Sequence, residues 1–134
     1  MIDIEDELFS LVSTSLRSAF DDIFVTNEYV SQPPRFPAVS IIEMSNTVVM
    51  RTQDSGSMEN HADLMYQVDV YSNRQIGKRL QAKTIMGMVD TLFAASGFTR
   101  TFMNPMQNMN EPSIYRITAR YQAVAGADNK IYRR

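Results

Sequence analysis

Cysteine is absent from this chain of 134 residues, and histidine occurs once, at His61. The missing cysteines remove disulfides, thiolate metal sites and cysteine nucleophiles together. They also fit a reducing compartment. No apolar stretch approaches the roughly 20 residues of a membrane-spanning helix. The start, Met1 to Glu7, is acidic, whereas a secretory signal has a basic start and then an apolar run. A basic surplus is missing too. The formal net charge of −2 argues against a protein whose main task is gripping nucleic-acid phosphates. No G-x-S-x-G, Walker loop, dinucleotide glycine turn or H-E-x-x-H is found. Nothing points to a paired-carboxylate site, whose members can be distant in sequence. The reading is therefore not an enzyme, with no catalytic residue, no cofactor and no metal site assigned.

What is present suffices for one soluble domain over residues 1–134. Hydrophobic residues make up 44% and charged residues 21%, an ordinary globular balance. A chain of this length buries roughly 68–70% of its unfolded surface, so a core forms without a disulfide or a metal.

Ile4, Leu8, Leu11, Val12, Leu16, Ala19 and Phe20 recur at helical spacing. They predict an amphipathic helix from about Asp3 to Phe20. Asp3 can cap it, Glu5, Asp6 and Glu7 suit the positive end of its dipole, and Arg17 suits the other end. Ile23 to Tyr29 reads as a short strand. Pro33, Pro34 and Pro37 then impose a stiff, extended connector. Ala38 to Met44 and Thr47 to Thr52 read as strands, with a tight turn at Ser45-Asn46. Gln53 to Asp63 has no apolar period and reads as a long, polar, mobile hairpin loop. Leu64 to Tyr71 alternates, with Leu64, Tyr66, Val68 and Val70 on one face and Met65, Gln67, Asp69 and Tyr71 on the other.

The strongest helical stripe follows: Ala82, Ile85, Met86, Val89, Leu92 and Phe93. Ser72-x-x-Gln75 offers a capping box, with Gly77 able to delay the start. Gly97 ends the helix, and Phe98 can fold back onto Phe93. Phe98 to Met103 is a strand candidate, Asn104 to Ser113 a loop, and Ile114 to Val124 the longest strand. On that strand Tyr115, Ile117, Ala119, Tyr121 and Ala123 share one face, and Arg116, Thr118, Arg120 and Gln122 the other. The tail from Gly126 is loose or one more edge segment. The order reads α-β-β-β-α-β-β. It predicts an α+β fold: an antiparallel or mixed sheet of about four to six strands, with two amphipathic helices packed on one face.

Few residues invite a chemical reading. His61 stands near Asp54, Glu59 and Asp63. One histidine among scattered carboxylates lacks a ligand spacing, so a solvated loop is the better reading than a metal or acid–base cluster. Arg116 and Arg120 share a strand face, and Arg100 is expected on a neighbouring strand. Together they could meet phosphate. The aromatic residues, however, are expected on the opposite face, unlike an RNA-binding sheet. Pairing with acidic residues of this chain or a neighbour is the better account. Ten methionines are unusual. Met58, Met103, Met106 and Met109 fall in or beside expected loops, where flexible, polarizable side chains suit a protein interface or are simply tolerated. Gly87 lies mid-helix, at a cost of about 1 kcal/mol. Close approach of another backbone would explain it; so would a neutral accident.

The second half carries a more specific pattern. Tyr66-Gln67-Val68-Asp69-Val70-Tyr71-Ser72-Asn73 runs into a helix with Ile85 and Val89-Asp90. It continues through Gly97-Phe98-Thr99-Arg100, Asn104-Pro105 and Asn108, and closes with Ile114-Tyr115-Arg116 and Arg120-Tyr121. This succession, over Leu64 to Val124, resembles the tail-terminator or tail-completion proteins of long-tailed phages and related prophages, with the lambda tail terminator as a relative in fold. The Gly97-Phe98-x-Arg100 turn and the Ile114-Tyr115-Arg116 strand are its most telling pieces.

The resemblance implies a structural protein of the virion tail, present in the host cytoplasm during assembly. Such proteins form a ring of six copies on the growing tail tube, stop its polymerisation and present a surface to the filled head. They are often monomeric until the template is present. The implied partners are further copies of the chain, the tail tube protein and a head-completion protein, with no membrane and no sequence-specific nucleic acid. The candidate assembly interface is Met58, Glu59, His61, Asp63, Arg100, Met103, Met106, Met109, Arg116 and Arg120. A head–tail connector, adaptor or other minor tail or capsid protein is the neighbouring reading. A small ligand-binding domain or enzyme built around His61 is the reading from a different class.

Overall fold

The computed structural model describes residues 1–30, 32–48, 61–106, 113–126 and 131–132. Its elements run α1 (Glu5–Ala19), β1 (Phe24–Thr26), β2 (Ala38–Val48), β3 (His61–Ser72), α2 (Lys78–Ala95), β4 (Thr99–Met106), β5 (Tyr115–Gly126) and β6 (Ile131–Tyr132). The fold is α+β in the expected order, with β6 added by the tail. Six strands form one sheet in the order β1-β2-β3-β5-β4, and β6 pairs with β5. The β1–β2 pair is parallel and every other pair is antiparallel. The sheet is therefore mixed.

Periodicity explains the two layers. Leu8, Val12 and Leu16 of α1 are buried, as are Ala82, Ile85, Met86, Val89 and Phe93 of α2. They share one hydrophobic core with Leu64, Tyr66, Val68 and Val70 of β3 and Ile117, Ala119, Tyr121 and Ala123 of β5. Both helices thus cover the same sheet face. Among the described residues the other face carries no helix. Asp3 accepts the Glu5 N–H at 3.1 Å, although the N-cap position itself falls on Ile4, with no side-chain cap. No helix among the described residues is long and apolar enough to cross a membrane.

The end of α2 meets its prediction in detail. Gly97 takes φ +92°. The Gly97 N–H donates to Ala94 O and the Phe98 N–H to Phe93 O, each at 3.0 Å. The Phe98 and Phe93 rings meet edge to face at 5.2 Å. These two hydrogen bonds with their apolar contact are the Schellman ending, which re-aims the chain into β4.

Other expectations are corrected. Ser45 and Asn46 make no turn. They pair with Met65 and Leu64 inside an unbroken β2, and the register shifts between Glu43 and Ser45 instead. Met44 is the extra residue of a bulge, which bends a strand without ending it. His61 to Asp63 belong to β3, because their backbone pairs with Val124 to Gly126. The rest of the expected loop, residues 53–60, lies outside the described residues.

No capping box forms at α2. The Ser72 hydroxyl donates to the Gln81 side chain rather than partnering Gln75, and α2 starts after Gly77 with no side-chain cap. Pro105 does not break β4, which runs to Met106, because among the described residues β4 pairs only with β5 along this stretch. An edge strand tolerates a residue without an N–H. A Cβ built on Gly87 would meet nothing within 4 Å, so no backbone among the described residues requires this glycine.

A helix-free sheet face as the candidate functional site

Paired residues on adjacent strands point to the same side, so the register assigns each candidate residue a face. His61 and Asp63 precede Met65, Gln67, Asp69 and Tyr71 on the helix-free face of β3. Arg116 and Arg120 oppose Tyr71 and Gln67 there. Met106 opposes Arg116, and Phe102 opposes Arg120. Arg100 opposes Tyr121 and Met103 opposes Ala119, which puts both on the helix side.

Five candidates therefore share one face, spread along the length of β3: His61 and Asp63 at its start, Arg120 midway, and Arg116 and Met106 near its end. Two do not. Arg100 pairs with Asp90 of α2 at 3.1 Å. Met103 is no loop residue and packs against the main core. The three arginines do not converge, because the bulge between Arg100 and Phe102 leaves Arg100 on the face away from the other two. Met58, Glu59 and Met109 lie outside the described residues.

At the centre of the helix-free face is Asp69, whose side chain is only 4% exposed. Its Oδ1 accepts the Arg116 Nε–H at 3.0 Å and the Thr118 hydroxyl, and its Oδ2 accepts from Gln67 Nε2 at 3.1 Å. Gln67 Oε1 in turn accepts from Arg120 Nε at 3.0 Å. One carboxylate thus fixes two arginines, one directly and one through an amide. Burial alone would lower the Arg116 pKa, but the hydrogen bond and charge of Asp69 outweigh it and raise the pKa. Arg116 is locked as a cation, and its charge is largely spent inside the chain.

The aromatic residues depart from expectation. Tyr71 and Phe102 stand beside the arginines. The Arg116 guanidinium lies 5.6 Å from the Tyr71 ring centre and that of Arg120 5.4 Å from Phe102, within cation–π range. Tyr71 is buried in a small second core with Ala38 and Ile114, against which Phe24 and Phe36 pack. The proline connector supplies Phe36, and Tyr71 donates its hydroxyl to Val30 O at 3.3 Å. Burial, then the Asp69 charge, pushes the Tyr71 phenol up to about 12. This end of the face is roofed by the connector. Beside the roof an open cleft of about 370 Å³ is lined by Gln32, Pro33, Phe36, Asn73, Ser113 and Ile114.

The open stretch of the face is amphipathic. Ile42, Met65 and Phe102 are half-buried, and Met106 is 41% exposed. His61 starts β3 and the cleft lies beyond its end, roughly 36 Å away at ~3.3 Å per residue. The histidine and the cleft therefore cannot serve one small ligand.

Gln67, Asp69, Tyr71, Thr118 and Phe102 were not among the candidates. Alternation placed Asp69 on the right face, and an acidic residue amid strand apolars was the available signal. Its partners on β5 lie 47 and 49 residues away, so only the register reveals the network. Compared with protein-family models and with curated proteins, the chain matches none.

Proposed function

We propose that this chain is a structural assembly protein of tailed phages that caps the tail tube as a ring, ends tube polymerisation and offers the head-joining surface. The observation that carries the reading is the helix-free sheet face. Half-exposed apolar side chains of β2, β3 and β4 surround a hydrogen-bonded charge network held by β3 and β5. A rigid surface of this kind suits a protein partner. The α+β order also agrees with the pattern over Leu64 to Val124 that resembles tail terminators. The helix-free face would meet the tail tube or a neighbouring copy, with Met106 and Phe102 as apolar contacts and Arg120 at the rim.

Deleting the gene from its phage tests the reading. Overlong tails, counted by electron microscopy, are expected. Tails of normal length beside unjoined heads would instead assign the chain to the head-side connector.

A further inference from the structure

Two surfaces at opposite ends of the helix layer take no part in the sheet-face site. The first surrounds the start of α2. Ile76 is 86% exposed and Leu80 71%, among the largest apolar exposures of the described residues. Arg74, Arg79 and Lys83 are exposed around them. None of the three belongs to an ion pair among the described residues. The second lies on the first turns of α1. Leu11 is 48% exposed, one turn beyond exposed Glu7 on the same helix face, with Asp3 and Asp6 exposed nearby.

The fold holds these surfaces apart. The start of α1 is tied to the end of β2 by the Asn46 amide, which donates to Ile2 O at 2.7 Å. The start of α2 is tied to the opposite end of the sheet by Lys78 Nζ, which donates to Ser113 O at 3.2 Å. Each surface is an apolar centre with charges of one sign, and the signs are opposite.

We propose that a second copy of the chain covers the α2 surface with its α1 surface: Leu11 meets Ile76 and Leu80, and Asp6 and Glu7 meet Arg79 and Lys83. Charge complementarity selects the occupant, since the same chain carries both halves of the match. An apolar centre ringed by charge is the usual anatomy of a protein contact. Because the two surfaces differ, the contact is heterologous, and each docked copy still offers one unused surface. Growth then continues until rotation closes it. Closure into a ring rests on the proposed function; the contact itself does not.

The test compares four full-length chains by sedimentation velocity at low and high salt: wild type, D6K/E7K, R79E/K83E, and all four substitutions combined. All four positions are exposed, and circular dichroism checks that each chain folds. Wild type is expected to self-associate at low salt and to weaken as salt screens the charges. Each charge reversal weakens association about tenfold or more, and the combination recovers it. A wild type that stays monomeric at low salt overturns the contact, as does association untouched by both reversals or not recovered by their combination. Rings that ignore both reversals overturn this contact but leave the ring function standing. A charge-dependent association that stops at two copies supports the contact and sinks the ring.

Discussion

Asp69 concentrates the energetics of the sheet face in one side chain. It is 3% exposed and accepts from Arg116, Thr118 and Gln67. Asp69→Ala leaves a partly buried guanidinium and a buried hydroxyl without their acceptor. The expected loss is about 3 kcal/mol, read as a lower midpoint in urea denaturation. A variant as stable as wild type would show that the network contributes nothing net.

Three tyrosines make a pH prediction. Burial, first of all, raises the pKa of Tyr66, Tyr71 and Tyr121, and the nearby carboxylates Glu43, Asp69 and Asp90 add to it. A raised folded-state pKa contributes stability that is complete below the unfolded phenol's pKa of about 10. That stability is lost as pH rises through the folded value, about 12 for Tyr71. Ultraviolet titration should therefore show these three of the six tyrosines un-ionised at about pH 11, ionising together with unfolding. Six phenols titrating together near 10 in a folded chain would contradict the burial.

At the scale of elements, α2 makes two opposite predictions about glycine. Gly87 is exposed within the helix and nothing crowds its Cβ position. Gly87→Ala should stabilise the chain by about 1 kcal/mol, seen as a higher melting temperature. Gly97 has φ +92° in the helix ending. Gly97→Ala should cost about 1–2 kcal/mol through left-handed backbone strain, and it loosens the turn that aims β4 along β5. Both helices were legible from their 3.6-residue period, and the Gly97 ending from its residue type. Element boundaries were less so. A bulge at Met44 and a proline on an edge strand look like breaks in sequence. They are harmless in a sheet because the partner strand continues the pairing across them.

At the scale of the whole molecule, the two sheet faces divide the labour. One is sealed by α1 and α2; among the described residues the other is roofed only at the connector end. Under the proposed function, the concentrated protein, alone or with tail tube protein, should give closed rings of six copies in electron micrographs. Open filaments or single copies under both conditions would count against ring closure. Met106→Asp on the open face should abolish capping of the tube while leaving the fold intact, since this side chain is 41% exposed at a strand end. Full capping by that variant would move the tube contact to another surface.

Composition and periodicity by themselves determined the α+β class, the two helices, their buried stripes apart from Leu11 and Ala19 of α1, which stand exposed, and the alternation of β3 and β5. These depend on neighbours within a few residues, where backbone geometry dictates which side chains share a face. The tertiary structure alone decided which faces meet. It put Arg116 and Arg120 on Asp69 and Gln67, sent Arg100 across the sheet to Asp90, and turned Met103 toward the core. Strand register sets those contacts, and a shift of one residue would exchange the faces. It likewise set Leu11 with Asp6 and Glu7 at one end, and Ile76 and Leu80 with Arg79 and Lys83 at the other. The physical reason is distance along the chain: local spacing fixes periodicity, but only packing brings together residues tens of positions apart.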